Sequence, residues 1–362
     1  MTSLFFELIQ IAIGEKETFT RPLSKDEWKS MYLLATKHSL LGILFSVVEK
    51  LQKGEGPSID ILGRWLIATQ RIENNNAILN KTAIEWQRRF LIDGFQSSIL
   101  KGQGVATLYP MPKRRQCGDI DIWLDGNRKD IVNYLQKEYQ CHEIVYHHAH
   151  VSCVEDVEIE VHFTPSWFYN PIINYRFQAF IKRESSQQFN NSVNLDGQGE
   201  IITPSVKFNV VYMLLHMYRH LFDEGIGLRQ MMDYYYVLKV FAMQTEIEKL
   251  SVISELAKLR LLNFASAVMY VQKVVFNLHD DELYCQPSIK YGKFLLKEIM
   301  LSGNFGQYDS RNRHDIGETL AGRYVRRLIR LMKFVIYYPQ EVLFAPFWRL
   351  GQYLWRLKKR YN

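Results

Sequence analysis

The spacing of apolar residues divides the chain into a helical stretch, a stretch of strands and a second helical stretch. Met1 to Ile13 is apolar with Glu7 inside it and reads as an amphipathic helix. Ser24-Lys25-Asp26-Glu27 fits a capping box, and Trp28, Met31, Tyr32, Leu34, Ala35, His38 and Leu41 then recur at helical spacing. Gly54-Glu55-Gly56-Pro57 breaks that pattern, after which Ile61 to Phe90 predicts a second long helical region. From about Gln96 the period shortens. Ser98-Ile99-Leu100-Lys101 suits a short strand ending at Gly102, residues 103–109 suit a helical turn, and Pro110 to Pro112 forces a loop. Gly118 to Leu124 predicts another strand and Arg128 to Tyr139 a helix. Two hairpins follow: His150 to Val154 with Val157 to Phe163 around Glu155-Asp156, and Ser192 to Leu195 with Glu200 to Ile202 across Asp196-Gly197-Gln198-Gly199. Past Pro204 the pattern is helical to the end, without repeats or low complexity. The expected architecture is α+β: a catalytic module at 91–203, a helical N-terminal region at 1–90, and a helical C-terminal domain with a basic tail at 204–362, the helices packing on the module or on each other.

Bulk properties narrow the class. The 362 residues suffice for a large core and more than one folding unit, and 47% apolar with 23% charged residues is globular composition. The N-terminus lacks a basic lead and a small-residue cleavage site, and the longest uncharged apolar run, Leu261 to Gln272, is too short to cross a bilayer. A cytoplasmic protein without a transmembrane segment is expected. Cys117, Cys141, Cys153 and Cys285 show no CxxC spacing, so reduced thiols and no structural zinc are expected. The net charge of +7 is unevenly placed, because residues 310–362 hold twelve Lys and Arg against three acids. An anionic partner, RNA or a membrane surface, is one reading of that tail. The other is a solvated helical face with aromatic residues packed inward.

The chemistry concentrates in Gly118-Asp119-Ile120-Asp121-Ile122-Trp123-Leu124. Alternation along a strand points Asp119 and Asp121 the same way and turns Ile120 and Ile122 to the core. Two adjacent anions repel, and a divalent metal is the usual remedy on a rigid strand. An Asp-x-Asp can also be an idle solvated sheet face, but Ile122, Trp123 and Leu124 make this strand too apolar for that. A third acid stands in Val157-Glu158-Ile159-Glu160-Val161-His162-Phe163, where Glu158, Glu160 and His162 share a face and spacing admits either glutamate. Leu100-Lys101-Gly102-Gln103-Gly104 ends a strand and opens a helix, so free backbone N–H groups and a lysine could hold phosphate oxygens. Arg114 and Arg115, just before the aspartates, suit a clamp on phosphate charge.

Leu100-Lys101-Gly102, Leu108-Tyr109-Pro110, Arg115-x-x-Gly118-Asp119-Ile120-Asp121 and Glu160-Val161-His162 resemble the bacterial family of uncharacterised nucleotidyltransferases within the DNA polymerase β-like superfamily. The likeness continues in His216, Arg219-His220, Gly225-Ile226-Gly227-Leu228-Arg229-Gln230 and Asp233, and more weakly around His38. The superfamily's Gly-Ser or Gly-Gly turn is replaced here by Lys101-Gly102-Gln103. The resemblance implies a polymerase β-like mixed sheet and Mg²⁺- or Mn²⁺-dependent transfer of a nucleoside monophosphate from a triphosphate such as ATP. By the same resemblance Asp119 and Asp121 bind metal. Glu160 is the third acid or general base, and Lys101, Gly102, Arg115 and Gly118 face the triphosphate. It supplies no acceptor, which stays open between a small molecule and RNA. A regulatory nucleotide-binding module, such as half of a toxin and antitoxin pair, is the competing reading.

Other groups have structural explanations. His142, His147, His148, His150, Cys141, Cys153 and His162 crowd one region, but their spacing fits no zinc pattern. His162 shares the Glu160 face, so it either contacts nucleotide or acceptor or supports the carboxylate. His216 and His220 lie one helical turn apart without a metalloprotease glutamate. Arg229 and Asp233, also i and i+4, are expected to pair. The functional alternative has His220, Asp223 and Arg229 closing over nucleotide or acceptor. His314-Asp315 is a two-residue match to a phosphohydrolase dipeptide and carries no weight.

Overall fold

The computed structural model describes residues 2–139, 141–151, 157–309, 311 and 320–360, without the side chains of 142, 320, 321, 323 and 356–360. The turn expected at Glu155-Asp156, Cys153 and the His314-Asp315 dipeptide lie outside the described residues.

Four helices open the chain: α1 (Thr2–Ala12), α2 (Lys25–Lys37), α3 (Leu41–Val48) and α4 (Ile59–Ile92). The capping box is formed, with the Ser24 side chain accepting from the Glu27 N–H and Glu27 accepting from the Ser24 N–H. The helix expected to run through Leu41 stops instead at Lys37. Ser39 takes a left-handed φ of 56°, and Leu41 starts a new helix.

The strand region follows as β1 (Ser97–Leu100), α5 (Gly102–Ala106), β2 (Ile120–Leu124), α6 (Arg128–Glu138), β3 (Cys141–Ile144), β4 (His148–Val151), β5 (Ile159–His162), α7 (Pro171–Gln188), β6 (Ser192–Asn194) and β7 (Glu200–Ile202). Five strands form one mixed sheet in the order β1-β2-β5-β4-β3, with β2 and β5 parallel and the other pairs antiparallel. Strands β6 and β7 make a separate hairpin. The chain is therefore α+β. Asp119 does not belong to the strand, which begins one residue later at Ile120.

The remaining helices are α8 (Val206–Asp223), α9 (Leu228–Ala242), α10 (Glu246–Lys258), α11 (Leu262–Phe276), α12 (Ile289–Ser302), α13 (Leu320–Met332), α14 (Pro339–Val342) and α15 (Ala345–Arg360). Among the described residues no helix is long and apolar enough to cross a membrane.

Among the described residues two apolar cores hold these layers. One sheet face carries Ile99, Ile120, Ile122, Leu124, Ile159 and Val161 against Ala83, Trp86 and Phe90 of α4 and Ile131 and Leu135 of α6. The larger core joins α1–α3 to α8, α9, α11 and α12, and reaches the opposite sheet face at Leu100 and Trp123. Trp123 stacks on Phe208 of α8 with ring centroids 5.7 Å apart. That second face is where polar side chains interrupt the apolar packing.

Candidate active site

Strand register assembles the site. Asp121 is opposite Glu160 on the parallel β2–β5 pair, and Glu160 is opposite His150 on the antiparallel β5–β4 pair. Opposed residues share a face, and so do their neighbours two along, so Trp123, His162 and His148 line up in the next row. The alternating Ile120, Ile122, Ile159 and Val161 leave no choice about which face is polar, because a one-residue slip would bury the carboxylates in the apolar core.

Lys101 arrives from the end of β1, whose Leu100 is paired with Asp121. Its φ of 52° is unusual for a residue with a side chain, and Gly102 follows at 34°. The turn aims the Lys101 ammonium at Asp121 Oδ2, 2.9 Å away, and at His216 Nε2 of α8, 3.2 Å away. Local backbone strain is thus retained by an ion pair inside the site.

His162 Nε2 lies 2.8 Å from Asp121 Oδ1 and 3.5 Å from Glu160 Oε2. Burial alone would lower its pKa, but the bonds to Asp121 and Glu160 win and push it up to about 9, so the ring is cationic at neutral pH. Burial opposes ionisation of Asp121 as well, yet Lys101 and His162 hold its carboxyl well below the usual range. Asp119 is shifted the other way. The Asp121 charge beside it, with burial, pushes Asp119 up to about 6 even though Lys101 is near. Burial drives His148 down to about 3, and His147 and His216 also well down, so these three rings are neutral.

Asp121, Glu160 and His162 place one ligand atom each within 4.8 Å of one another, and so do two overlapping groups, His147, His148 and His162, and His148, His150 and Glu160. Asp119 stands outside these groups. Asp121 and Glu160 offer oxygen donors and the histidines imidazole nitrogens, so these residues could hold a divalent metal.

A cavity of about 260 Å³ opens over these groups and is lined by Lys101, Gly102, Arg115, Gly118, Asp119, Asp121, Glu160, His162 and Arg229. A Cβ at Gly102 or Gly118 would meet nothing within 4 Å, so backbone is open to a ligand at both positions. The arginines are partnered differently from the sequence expectation. Arg229 does not pair with Asp233. Arg115 takes that carboxylate with Nε–Oδ1 at 2.6 Å and Nη2–Oδ2 at 2.7 Å, and the Tyr109 hydroxyl donates to the same Oδ1 at 2.6 Å. Arg229 instead donates to the Gln116 carbonyl at 2.6 Å, and its Nε is buried without a partner among the described residues. Helical spacing allowed the Arg229–Asp233 pair; the competitor was a loop residue more than a hundred positions upstream. Arg114 does not reach the cavity, because Glu49 and Glu73 hold its guanidinium at 2.6 and 2.8 Å.

Sequence spacing also concealed residues. His147 and His148 join the site only because β4 pairs antiparallel with β5, which no local motif announces. Trp167, which no motif marks, completes the wall with the expected Arg219 and Asp223; Arg219 lies over the Trp167 ring and pairs with Asp223 at 3.0 Å.

The chain belongs to the family described as uncharacterised nucleotidyltransferase, whose model matches residues 24–277. Among solved structures it is similar to an antigenic nucleotidyltransferase-like protein from Paracoccidioides brasiliensis, with 13% identity over 58% of this chain and 98% of that one. The TM-score of 0.32 is too low for that likeness to inform the site. No curated relative matches.

Proposed function

We propose that this protein moves a nucleoside monophosphate from a nucleoside triphosphate to a hydroxyl acceptor, using Mg²⁺ or Mn²⁺. The observation that supports this most is the register pair Asp121–Glu160, with Asp119 two residues upstream and a cavity above. Asp119, Asp121 and Glu160 would hold the metal. Three carboxylates against one ammonium and one imidazolium leave negative charge for it to neutralise. When bound, the cations would neutralise the triphosphate and lower the pKa of the attacking hydroxyl, with pyrophosphate as the leaving product.

The remaining roles belong to the chain itself. Lys101 and Arg229 bring positive charge to the phosphates, and Gly102 and Gly118 let backbone approach them. Glu160 either completes the metal site or accepts the proton of the acceptor hydroxyl. His162 orients Asp121 and Glu160 by donating between them. Arg115, bound by Asp233, fixes the loop that leads into Asp119 rather than contacting phosphate. Tyr169 donates to Asp223 Oδ1 at 2.6 Å, which steadies the far wall.

A second cavity, about 770 Å³, shares His147, His148, Trp167, Arg219 and Asp223 with the first and continues between Tyr146, Trp348 and Arg327. It is the natural place for an acceptor, small molecule or RNA. RNA would bind with steep salt dependence, so affinities at two salt concentrations, with and without residues 310–362, separate the two.

The competing reading is a regulatory module that binds nucleotide without turnover. It is favoured by one observation: Lys101 and His162 already neutralise Asp121 from within. Incubation with each radiolabelled triphosphate, Mg²⁺ and cell extract decides between them. Label entering RNA, protein or a small molecule, and absent with Asp119→Asn/Asp121→Asn, supports transfer. No labelled product with any triphosphate leaves only the regulatory reading.

A further inference from the structure

Helices α13 to α15 follow the segment matched by the family model, and their outer surface is unlike that of an ordinary solvated helix. On α13, Arg330, Leu331 and the following Phe334 are buried against the body, while Val325, Ile329 and Met332 face outward with 52, 61 and 63% exposure. These three stand at i, i+4 and i+7, one continuous stripe, and Ile336 in the next turn extends it at 76%. The pattern repeats on α15. Ala345 is buried and Trp348 packs against the large core, while Phe347, Leu350 and Leu354 are 74, 51 and 57% exposed. Leu343, 59% exposed, lies just ahead of them.

The charge around these stripes has one sign. Residues 320–362 contain ten Lys and Arg, of which Arg330 is buried and Arg349 is paired with Asp223, and a single acid, Glu341. That acid is 1% exposed and accepts from the Tyr169 and Asn170 N–H groups, so it does not contribute to the surface. The last turn of α15 carries Arg356, Lys358, Lys359 and Arg360 in five positions. Positive helices that expose aliphatic and aromatic stripes suit an interface offering both negative charge and a place for apolar side chains. RNA supplies the first without using Val, Ile, Met and Leu. A second copy of the chain supplies the second, but sets cations against cations.

We infer that α13, α14 and α15 form a peripheral docking surface for an anionic lipid bilayer, lying in the interface rather than spanning it. Tyr324, Arg327 and Tyr353 of the same helices also line the second cavity, so docking brings that cavity beside the bilayer. The inference stands on this surface and does not depend on the proposed transfer reaction.

The test is flotation of the full chain with vesicles of phosphatidylcholine alone and of a three-to-one mixture with phosphatidylglycerol. The wild type is expected to float with the anionic vesicles and to lose at least about tenfold in affinity on neutral ones or at high salt. Ile329→Asn/Phe347→Asn should abolish flotation while leaving thermal unfolding unchanged, because both replaced side chains are exposed. Lys358→Glu/Lys359→Glu should weaken flotation severalfold. Failure to float with anionic vesicles, equal flotation with neutral ones, or unchanged flotation of both variants would overturn the inference. So would retention of single-stranded RNA without flotation, or a stable dimer that Ile329→Asn/Phe347→Asn dissolves.

Discussion

Replacing Asp233 by Asn probes the least anticipated contact of the site. Asp233 and Arg115 are both 4% exposed, and two hydrogen bonds of 2.6 and 2.7 Å join them. The amide side chain would keep the shape, remove the charge, and leave the Arg115 guanidinium buried without a counter-ion. Breaking a buried pair in this way costs about 3–5 kcal/mol. The Tyr109 hydroxyl loses a charged acceptor at the same time. Had Asp233 paired with Arg229 along a helix surface, the cost would be only about 0.3–0.5 kcal/mol. Urea unfolding followed by tryptophan fluorescence measures the difference. A loss near the upper range, largely restored in Arg115→Met/Asp233→Leu where both charges are gone, is the expected result. A loss below about 1 kcal/mol would refute the buried pair.

Two further outcomes follow from the packing. Burial pushes the Glu341 carboxyl up to about 7 from its ordinary 4.5, against the backbone N–H groups it accepts. The folded chain then keeps a proton that the unfolded chain releases, so this group's contribution falls as pH rises from about 4.5 to 7, by about 3 kcal/mol. Unfolding free energies across that range should show the fall in wild type and a flatter profile in Glu341→Gln; parallel profiles would contradict it. Gly42 sits in α3, where a Cβ would meet the Arg114 carbonyl oxygen at 2.3 Å. Gly42→Ala should lower stability by about 1–3 kcal/mol by thermal or urea unfolding, whereas a gain of up to about 1 kcal/mol, as at an open helical site, would show the approach to be looser.

What the sequence disclosed and what it hid have physical reasons. Alternation of Ile120, Asp121 and Ile122 reports one face against the other, so the polar row and the apolar core were both readable locally. The capping box at Ser24 and the hairpin at Asp196-Gly197 are equally local signals. The placement of His147 and His148 depends on antiparallel pairing of β4 with β5, and that of Arg115 on α9 docking against a loop; neither leaves a trace at short range. Ser39 ended a helix that periodicity alone would have continued, because a single left-handed residue reverses the chain without changing the apolar pattern. The basic tail was legible as charge, but the outward turn of Val325, Ile329 and Phe347 was not, since exposed and buried stripes have the same period.

Asp119 and Asp121 are proposed to seat the metal of a bound triphosphate. Isothermal titration of the wild type and of Asp119→Asn/Asp121→Asn with ATP, and then with the other triphosphates, in Mg²⁺ tests it most directly. Saturable binding by the wild type to at least one triphosphate is expected, and binding weaker by at least about tenfold in the double variant, since about 1.4 kcal/mol per tenfold is small beside two lost metal carboxylates. Equal affinity in the two proteins would contradict it.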